Sequence, residues 1–372
     1  MNRRHFLSSC ILPSLLYRLQ AARGGPDIQF DAADRILTQA VQHHQVAGAS
    51  FSIRHRGTTR IRHYGTARSG SPIYLLASIT KPFSATGLMT LADANELKLT
   101  DPLSRFIPEF DGEGRETITI EDCLTHRSGL PDQLPENTEL RRRHAPLAAF
   151  VEKAIRTPLQ FWPRKQYGYS SMGILLLSEV ARRITRQPFP AWLRERVFQP
   201  LGMPHSALGL DPLQLNQTMK CQVEQAAPES GAGAASARNW DWNSPYWRRL
   251  GAPWGGAHGS VEDVTRFLDE FLHPRAKLLR PDTMLRMTRN QNPPGMTPRG
   301  LGFALSPQLG PRQDRAVFGH TGSTGTLCWA DRKTDTICVV LTTLPARAAS
   351  PHPRDLASQA LADALFPQGA TP

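Results

Sequence analysis

The stretch YLLASITKPFSATGLMTL (residues 74–91) places a serine and a lysine where they can act together. Ser78 and Lys81 are three positions apart, and on a helix such positions share one face, so the hydroxyl and the ammonium can touch. A base beside a serine hydroxyl converts a weak nucleophile into an effective one. The alternative is a capping serine followed by a solvated lysine, and this short motif does not separate the two interpretations.

Two further stretches supply groups that such a nucleophile would need. KQYGYSSMG contains Tyr169 and Ser171 just before a predicted helix, and FGHTGSTGT contains His320, Thr321 and Gly322 on a predicted strand. Glycines on a strand let a substrate approach the backbone. Taken singly, Tyr169 could be a half-buried core aromatic and His320 a hydrogen-bonded strand histidine.

The order of these motifs resembles that of a known family. Ser-x-x-Lys, then Tyr-x-Ser, then His-Thr-Gly is similar to the serine β-lactamase and penicillin-binding-protein superfamily, in its class C β-lactamase, DD-peptidase and esterase branch. The connecting phrases ITIEDCLTHRSGLPD and YSSMGILLLSEVARRITRQPFPAWLRERVFQPLGM are also similar to that family. The resemblance runs from about residue 28 to 366.

The resemblance implies a role for each motif residue. Ser78 would be the acyl-accepting nucleophile and Lys81 its general base, aided by Tyr169. A closed cleft at the positive end of a helix would favour the neutral form of Lys81. The oxyanion hole would consist of the backbone N–H groups of Ser78 and Ser323, and one such donor is typically worth about 3 kcal/mol of transition-state stabilisation.

Two departures from the family pattern bear on the substrate. Ser171 replaces the commoner asparagine and removes an amide donor. His320, which with Thr321 and Gly322 would bind substrate, replaces the commoner lysine, so a fixed charge for a substrate carboxylate would become a pH-dependent one. We therefore expect an esterase or peptidase rather than an efficient β-lactamase. Trp254, in PWGGAHGS, is either a wall of the cleft or a core residue.

One alternative belongs to another functional class. A catalytically silent protein on the same scaffold could hold cell-wall peptide, although it would have no chemical need for the complete set of Ser78, Lys81 and Tyr169. An α/β-hydrolase is disfavoured because no Gly-x-Ser-x-Gly elbow occurs.

Periodicity predicts an α+β fold of two lobes. Helical spacing over residues 30–48 precedes a predicted hairpin about Gly57 (residues 49–65), and residues 317–344 predict two strands about a polar turn, followed by a helix at about 354–366. Between them the pattern is helical, with a surface loop expected at residues 227–239. We expect an antiparallel sheet built from both chain ends and flanked by helices (about 26–83 and 273–372), with an all-helical lobe inserted (about 84–272).

Composition limits the partners and cofactors. The net charge of +12 comes from basic residues that are mostly scattered, apart from RRRH at 141–144, so nucleic-acid binding is not expected. The five cysteines are widely spaced, and neither Cys-x-x-Cys nor His-Glu-x-x-His occurs, so no metal or cofactor is expected. The expected partner is a small-molecule or peptide substrate. If the turn after the predicted strand centres on Lys333, Cys328 and Cys338 lie opposite each other, and export would permit a disulfide.

Residues 1–25 predict an export signal. They combine a basic start, an apolar middle and a small-residue end, and Arg3-Arg4-x-Phe6-Leu7 resembles the twin-arginine signal. The bacterial periplasm is the expected location, and a cytoplasmic protein with an untargeted N-terminal helix is the alternative. The apolar run is too short to span a bilayer, so no transmembrane helix is expected in the mature chain.

Overall fold

The computed structural model describes residues 30–68, 72–305, 309 and 317–365. The predicted leader, including Cys10, lies outside the described residues. The helices are α1 Asp31–Gln42, α2 Thr80–Asp93, α3 Ile120–Leu124, α4 Asn137–Arg142, α5 Leu147–Arg156, α6 Ser171–Thr185, α7 Phe189–Leu193, α8 Pro245–Leu250, α9 Val261–Leu272, α10 Pro281–Met287 and α11 Pro353–Leu365. The strands are β1 Gly48–His55, β2 Thr58–Gly65, β3 Tyr74–Leu75, β4 Ala207–Leu208, β5 Ala257–Gly259, β6 Ala304–Leu305, β7 Val317–Gly322, β8 Thr326–Asp331 and β9 Thr336–Thr342.

The main sheet joins the two ends of the chain. Its strand order is β2-β1-β9-β8-β7-β6, and every neighbouring pair is antiparallel. The N-terminal hairpin therefore pairs with β9, with Phe51 opposite Val340. The predicted α+β fold, with an antiparallel sheet from both chain ends, is confirmed.

Alternate residues of β9 enter two separate cores. Cys338 and Val340 belong to the core that also contains residues of α1 and α11, whereas Val339 and Leu341 belong to the larger core that includes α9 and the helices of the middle region. This alternation is what a strand covered on both faces requires, because successive side chains point to opposite faces. The sheet is thus the middle layer between α1 and α11 on one side and α9 on the other.

The middle region contains short strands that periodicity does not reveal. β5 pairs with both β3 and β4 in a small three-stranded sheet of order β3-β5-β4. Strands of two or three residues are too short to show a period of two. Residues 227–239 are mostly exposed, as expected of a surface loop, and they contain two single 3₁₀ turns, Pro228–Ser230 and Ala235–Ala237, in which Ser230 and Ala237 are buried.

The C-terminal segment forms three strands rather than the predicted two. The polar stretch Ser323–Gly325 makes an additional turn between β7 and β8. At the next turn, Asp331 pairs with Thr336, so the turn centres between Lys333 and Thr334. Cys328 therefore lies opposite Val339, and Cys338 lies opposite Trp329.

The predicted disulfide is wrong because of this register. A shift of one residue moves a side chain to the other face of a sheet. Cys328 lies in the larger core and Cys338 in the core beneath α1 and α11, and both thiols are free and buried.

Nothing in the described ranges has the length and apolar character of a membrane-crossing helix. The boundaries of the two lobes stay a prediction.

We predict that Gly319→Ala destabilises the sheet beside the active site. A Cβ on Gly319 would collide with the backbone carbonyl of Cys328 on the neighbouring strand, and such overpacking costs roughly 1–3 kcal/mol. Urea unfolding measures the loss. Gly255→Ala is the control for the same exchange without a collision, because Gly255, like Gly319, has no left-handed φ and a Cβ there approaches its nearest neighbour, the Ala77 backbone, only to 3.9 Å. Equal stability of Gly319→Ala and the parent protein would contradict the predicted collision.

Candidate active site

A strained turn carries the predicted nucleophile. Ser78 lies in a single 3₁₀ turn, Ala77–Ile79, that leads directly into α2, and Ala77 adopts a left-handed φ of 48°. The Thr80 hydroxyl donates to the Ala77 carbonyl at 2.6 Å and accepts from the Ala257 amide at 3.0 Å. Left-handed backbone persists at a non-glycine residue only where neighbours hold it. The hydroxyl of Thr80 supplies that restraint and sets the position of Ser78.

Lys81 contacts Ser78 as its spacing predicts. Its Nζ lies 3.1 Å from the Ser78 Oγ and donates to the Trp254 carbonyl at 2.9 Å. The side chain of Lys81 is fully buried, and in the described part of the chain no carboxylate pairs with it. The Nζ is therefore placed to exchange a proton with the Ser78 hydroxyl.

Four of the predicted site residues line one cavity. Ser78, Tyr169, Ser171 and Ser323 border a space of about 170 Å³. The ring centroid of Tyr169 lies 4.8 Å from the Lys81 Nζ, and its hydroxyl makes no hydrogen bond to any described residue. Catalytic hydrogen bonds often tighten only when substrate binds.

Two threonines fasten the β7–β8 turn to the nucleophile segment. Thr324 donates its hydroxyl to the Leu75 carbonyl at 2.6 Å, and Thr326 donates to the Leu76 carbonyl at 2.8 Å. Gly322 permits this approach, because a Cβ there would lie 2.5 Å from the Leu76 carbonyl oxygen. Ser323 is thereby held beside Ser78, where the predicted oxyanion hole requires its N–H group.

Ser171 has a partner that the sequence analysis did not identify. Its hydroxyl donates to Asp132 Oδ1 at 2.5 Å, and its backbone amide donates to the same oxygen at 3.0 Å. Asp132 lies in the segment HRSGLPD, which is similar to the family, so the sequence did contain a signal for this residue. Because the proton of Ser171 is committed to Asp132, the hydroxyl oxygen can only accept a hydrogen bond from a substrate.

His320 is not the pH-dependent cation that we expected. Its Nδ1 contacts the Thr321 carbonyl at 2.7 Å, and its Nε2 contacts Nη2 of Arg299 at 2.7 Å. A carbonyl only accepts and a guanidinium only donates, so Nδ1 carries the proton and Nε2 has none. Burial, followed by the charges of Arg299 and Lys81, holds the pKa of His320 well below its usual value. The imidazole is therefore neutral, and the Thr321 carbonyl accepts a hydrogen bond from its Nδ1–H group.

Arg299 supplies the fixed charge in place of His320. It is buried, its guanidinium carbon lies 5.4 Å from the Tyr169 ring centroid, and its Nε has no hydrogen-bond partner. The ring of Tyr169 is thus close to two cations, Arg299 and Lys81. The stretch TPRG around Arg299 matches no motif, so no local signal indicated it.

His126 completes the layer behind Tyr169. Its ring centroid lies 4.6 Å from that of Tyr169, and its Nδ1 accepts from the Ser170 amide at 3.1 Å. Burial, with Arg299 and Lys81 as further causes, holds the pKa of His126 well below its usual value. The imidazoles in this layer therefore contribute shape and dipoles, and Arg299 contributes the fixed charge.

Trp254 is both a core residue and a residue that lines the cleft. It is 4% exposed and packs against Trp247, while it also lines the cavity and its carbonyl accepts from Lys81. Within the described ranges, no group of three or more His, Cys, Asp or Glu side chains could hold a metal ion.

Comparisons with known proteins identify the family of this chain. The Beta-lactamase family matches residues 33–362, so the chain belongs to that family, and the predicted membership of a serine hydrolase superfamily is confirmed. Esterase EstB of Burkholderia gladioli is 29% identical over 337 residues, which cover 80% of this chain and 83% of that protein. A protein of Salmonella agona (strain SL483) named "Putative D-alanyl-D-alanine carboxypeptidase" is 24% identical over 327 residues, covering 79% and 74% of the two chains.

A solved structure shows the same fold. The D-amino acid amidase of Ochrobactrum anthropi SV3, in complex with D-phenylalanine, superposes with a TM-score of 0.73 at 23% identity and covers 91% of this chain and 99% of its own.

We predict that His320 makes folding more sensitive to acid. Its folded pKa lies below the unfolded value of about 6.5, so below that pH the unfolded state binds the extra proton and stability falls as the pH falls. One such proton changes the free energy of unfolding by about 1.4 kcal/mol per pH unit. In His320→Gln the slope measured by urea unfolding between pH 6.5 and 5 should be smaller by up to this amount.

A second buried histidine provides the comparison. Burial lowers the pKa of His258 to about 3, so His258→Gln should reduce the slope by a similar amount, and the double variant should reduce it additively. A His320→Gln slope equal to that of the parent protein would mean that His320 is protonated in the folded state.

Proposed function

We propose that this protein is a serine hydrolase that cleaves an ester, amide or peptide bond through an acyl-enzyme on Ser78. The observation that carries the proposal is the 3.1 Å contact between the Nζ of the buried Lys81 and the Ser78 Oγ, which borders the cavity. Neutral Lys81 accepts the Ser78 proton while Oγ attacks the substrate carbonyl carbon. The backbone N–H groups of Ser78 and Ser323 stabilise the oxyanion that forms.

The second half of the reaction uses the same groups in reverse. The tetrahedral intermediate collapses, the bond to the leaving group breaks, and the leaving group takes up a proton through Tyr169. Water then attacks the acyl-enzyme, its proton returns through the Lys81 and Tyr169 pair, and Ser78 is released as the free hydroxyl. The ring of Tyr169 lies over the Lys81 ammonium, which supports a shared role for the two side chains.

An esterase or peptidase activity fits this site better than efficient β-lactam hydrolysis. The relatives include proteins named esterase and carboxypeptidase, and a protein with the same fold is named amidase. Ser171 lacks the amide donor of an asparagine, and its hydroxyl proton is bound to Asp132. A substrate carbonyl that depends on an amide donor at this position would therefore be held poorly.

We also propose that the protein is exported to the bacterial periplasm. The support is the sequence of residues 1–25, with Arg3 and Arg4 followed by an apolar run and small residues. A cytoplasmic location is the alternative.

We predict that Ser78→Ala and Lys81→Met each abolish turnover. Loss of a catalytic nucleophile or base usually costs several orders of magnitude in kcat. Hydrolysis of 4-nitrophenyl butyrate, nitrocefin and a D-Ala-D-Ala peptide measures turnover, and intact-mass spectrometry after a fluorophosphonate or penicillin measures covalent labelling. Lys98→Met is the matched control, since Lys98 is exposed.

The outcomes separate the proposal from its alternative. Labelling of the parent protein that disappears in Ser78→Ala supports the hydrolase. More than about a hundredth of the parent activity in Ser78→Ala would exclude Ser78 as the nucleophile. A folded parent protein that binds cell-wall peptide but neither turns over nor labels would instead be the silent binding protein.

The export proposal predicts that changing both Arg3 and Arg4 to Lys retains the protein in the cytoplasm. Cell fractionation followed by immunoblotting measures the location. Arg23→Lys is the control, because it makes the same exchange outside the paired arginines. Equal periplasmic amounts of the double variant and the parent protein would exclude the twin-arginine route.

A further inference from the structure

The cavity beside Ser78 contains a buried arginine that the proposed chemistry does not use. Arg141, in the last turn of α4, lines the same 170 Å³ space as Ser78 and is 2% exposed. Its guanidinium carbon lies 3.7 Å from the centroid of the Trp247 ring. A cation therefore stacks on an indole in the wall of the candidate active site.

Two nitrogens of the Arg141 guanidinium have no polar partner among the described residues. Its Nε and Nη1 are buried without a hydrogen bond, and among the described residues no carboxylate lies within ion-pairing distance. Glu229 lines the same cavity and still forms no ion pair with Arg141. Burial lowers the pKa of Arg141 to about 10, which leaves the side chain charged at neutral pH. A buried charge without a counter-ion is costly, and an anion in the cavity would remove that cost.

Other buried arginines of this chain have evident structural roles. Arg248 donates to the carbonyls of Trp242 and Met219, Arg354 donates to the Gly322 carbonyl, and Arg115 donates to the Thr157 carbonyl. Arg141 donates to no carbonyl in the described part of the chain. Its guanidinium stacks on Trp247 and lines the cavity, with Nε and Nη1 unpartnered among the described residues.

We propose that Arg141 determines specificity by binding a carboxylate on the acyl part of the substrate. This inference rests on the proposed function. A guanidinium binds a carboxylate through two parallel N–H···O bonds, and the indoles of Trp242, Trp247 and Trp254 line the same cavity, where they can pack on the methylene groups between the carboxylate and the reacting carbonyl. The acyl part stays attached to Ser78 after the leaving group departs, so it is the fragment that benefits from an enclosed cavity.

Two matched esters test the proposal. Mono-4-nitrophenyl adipate carries a carboxylate at the end of a six-carbon acyl chain, and 4-nitrophenyl hexanoate is its neutral counterpart with the same leaving group. The parent protein should have the higher kcat/KM for the adipate ester. Arg141→Met, which keeps an unbranched apolar side chain, should lower the adipate-to-hexanoate ratio roughly 10- to 100-fold, as expected for the loss of a charge-assisted pair. Arg141→Lys should give an intermediate ratio, because a lysine keeps the positive charge but cannot form the two parallel N–H···O bonds of a guanidinium.

Replacing Glu229 should change kcat/KM for the adipate ester in the opposite direction from Arg141→Met. Glu229 lines the cavity, and its negative charge opposes an acyl carboxylate, so Glu229→Gln should raise kcat/KM for the adipate ester several-fold relative to that for the hexanoate ester. A general loss of packing could not produce this selective gain.

Binding without turnover gives an independent measurement. Adipate should raise the melting temperature of the parent protein and of Ser78→Ala, whereas hexanamide should not, and Arg141→Met should remove the adipate effect. If Arg141→Met lowers kcat/KM equally for both esters, or changes neither, Arg141 is a structural residue and the proposal is wrong. The acyl assignment is also wrong if Arg141→Met instead selectively impairs 4-carboxy-3-nitrophenyl hexanoate, which carries the carboxylate on the leaving group.

The failures of the two proposals are distinguishable. If the parent protein hydrolyses 4-nitrophenyl hexanoate through Ser78 but shows neither a preference for the adipate ester nor stabilisation by adipate, only the assignment of Arg141 fails. If adipate stabilises the parent protein through Arg141 while Ser78 is never acylated, the anion site stands as a binding site and the hydrolase, with its substrate preference, is rejected.

Discussion

The amino group of Lys81 is buried with no carboxylate of a described residue beside it, and the surrounding elements are arranged around that constraint. A buried cation needs polar partners, and here they are the Ser78 hydroxyl, the Trp254 carbonyl and the face of the Tyr169 ring. A carboxylate partner would hold the lysine permanently as a cation and prevent it from accepting the serine proton. The neutral partners stabilise the side chain in place while leaving its proton free to move.

Those partners come from distant parts of the chain, and the sheet topology brings them together. The β7–β8 turn reaches the nucleophile segment because the hydroxyls of Thr324 and Thr326 donate hydrogen bonds to the carbonyls of Leu75 and Leu76. Arg354 of α11 holds the same turn from behind through the Gly322 carbonyl at 2.6 Å. Pairing of the two chain ends in one sheet is therefore what sets the distance between Ser323 and Ser78.

The sequence predicted the parts of the site that depend on local spacing or on motif order. The Ser78 and Lys81 contact follows from a three-residue separation, and the strand around His320 follows from its alternation and glycines. Arg299 and Arg141 were missed because their positions depend on contacts between distant segments and neither lies in a motif. The pairing of Cys328 with Cys338 was wrong for a similar reason. The centre of the four-residue turn lies half a residue beyond Lys333, so the strand register shifts by one residue and the two side chains lie on opposite faces of the sheet.

The chemistry of the site also depends on where its positive charges lie. Arg299 and Arg141 are buried next to Tyr169 or in the same cavity, whereas the carboxylate of Asp132 accepts a hydrogen bond from Ser171. Fixed cations in a water-poor site favour the negative charge that develops on the carbonyl oxygen during acyl transfer. Burial, and after it the charge of Arg299, holds the pKa values of His126 and His320 well below their usual range, so neither imidazole adds a charge that changes near neutral pH. A lysine at position 320 would provide both the side-chain packing and the positive charge at the His-Thr-Gly strand. In this chain His320 provides the packing, and the neighbouring Arg299 provides the charge.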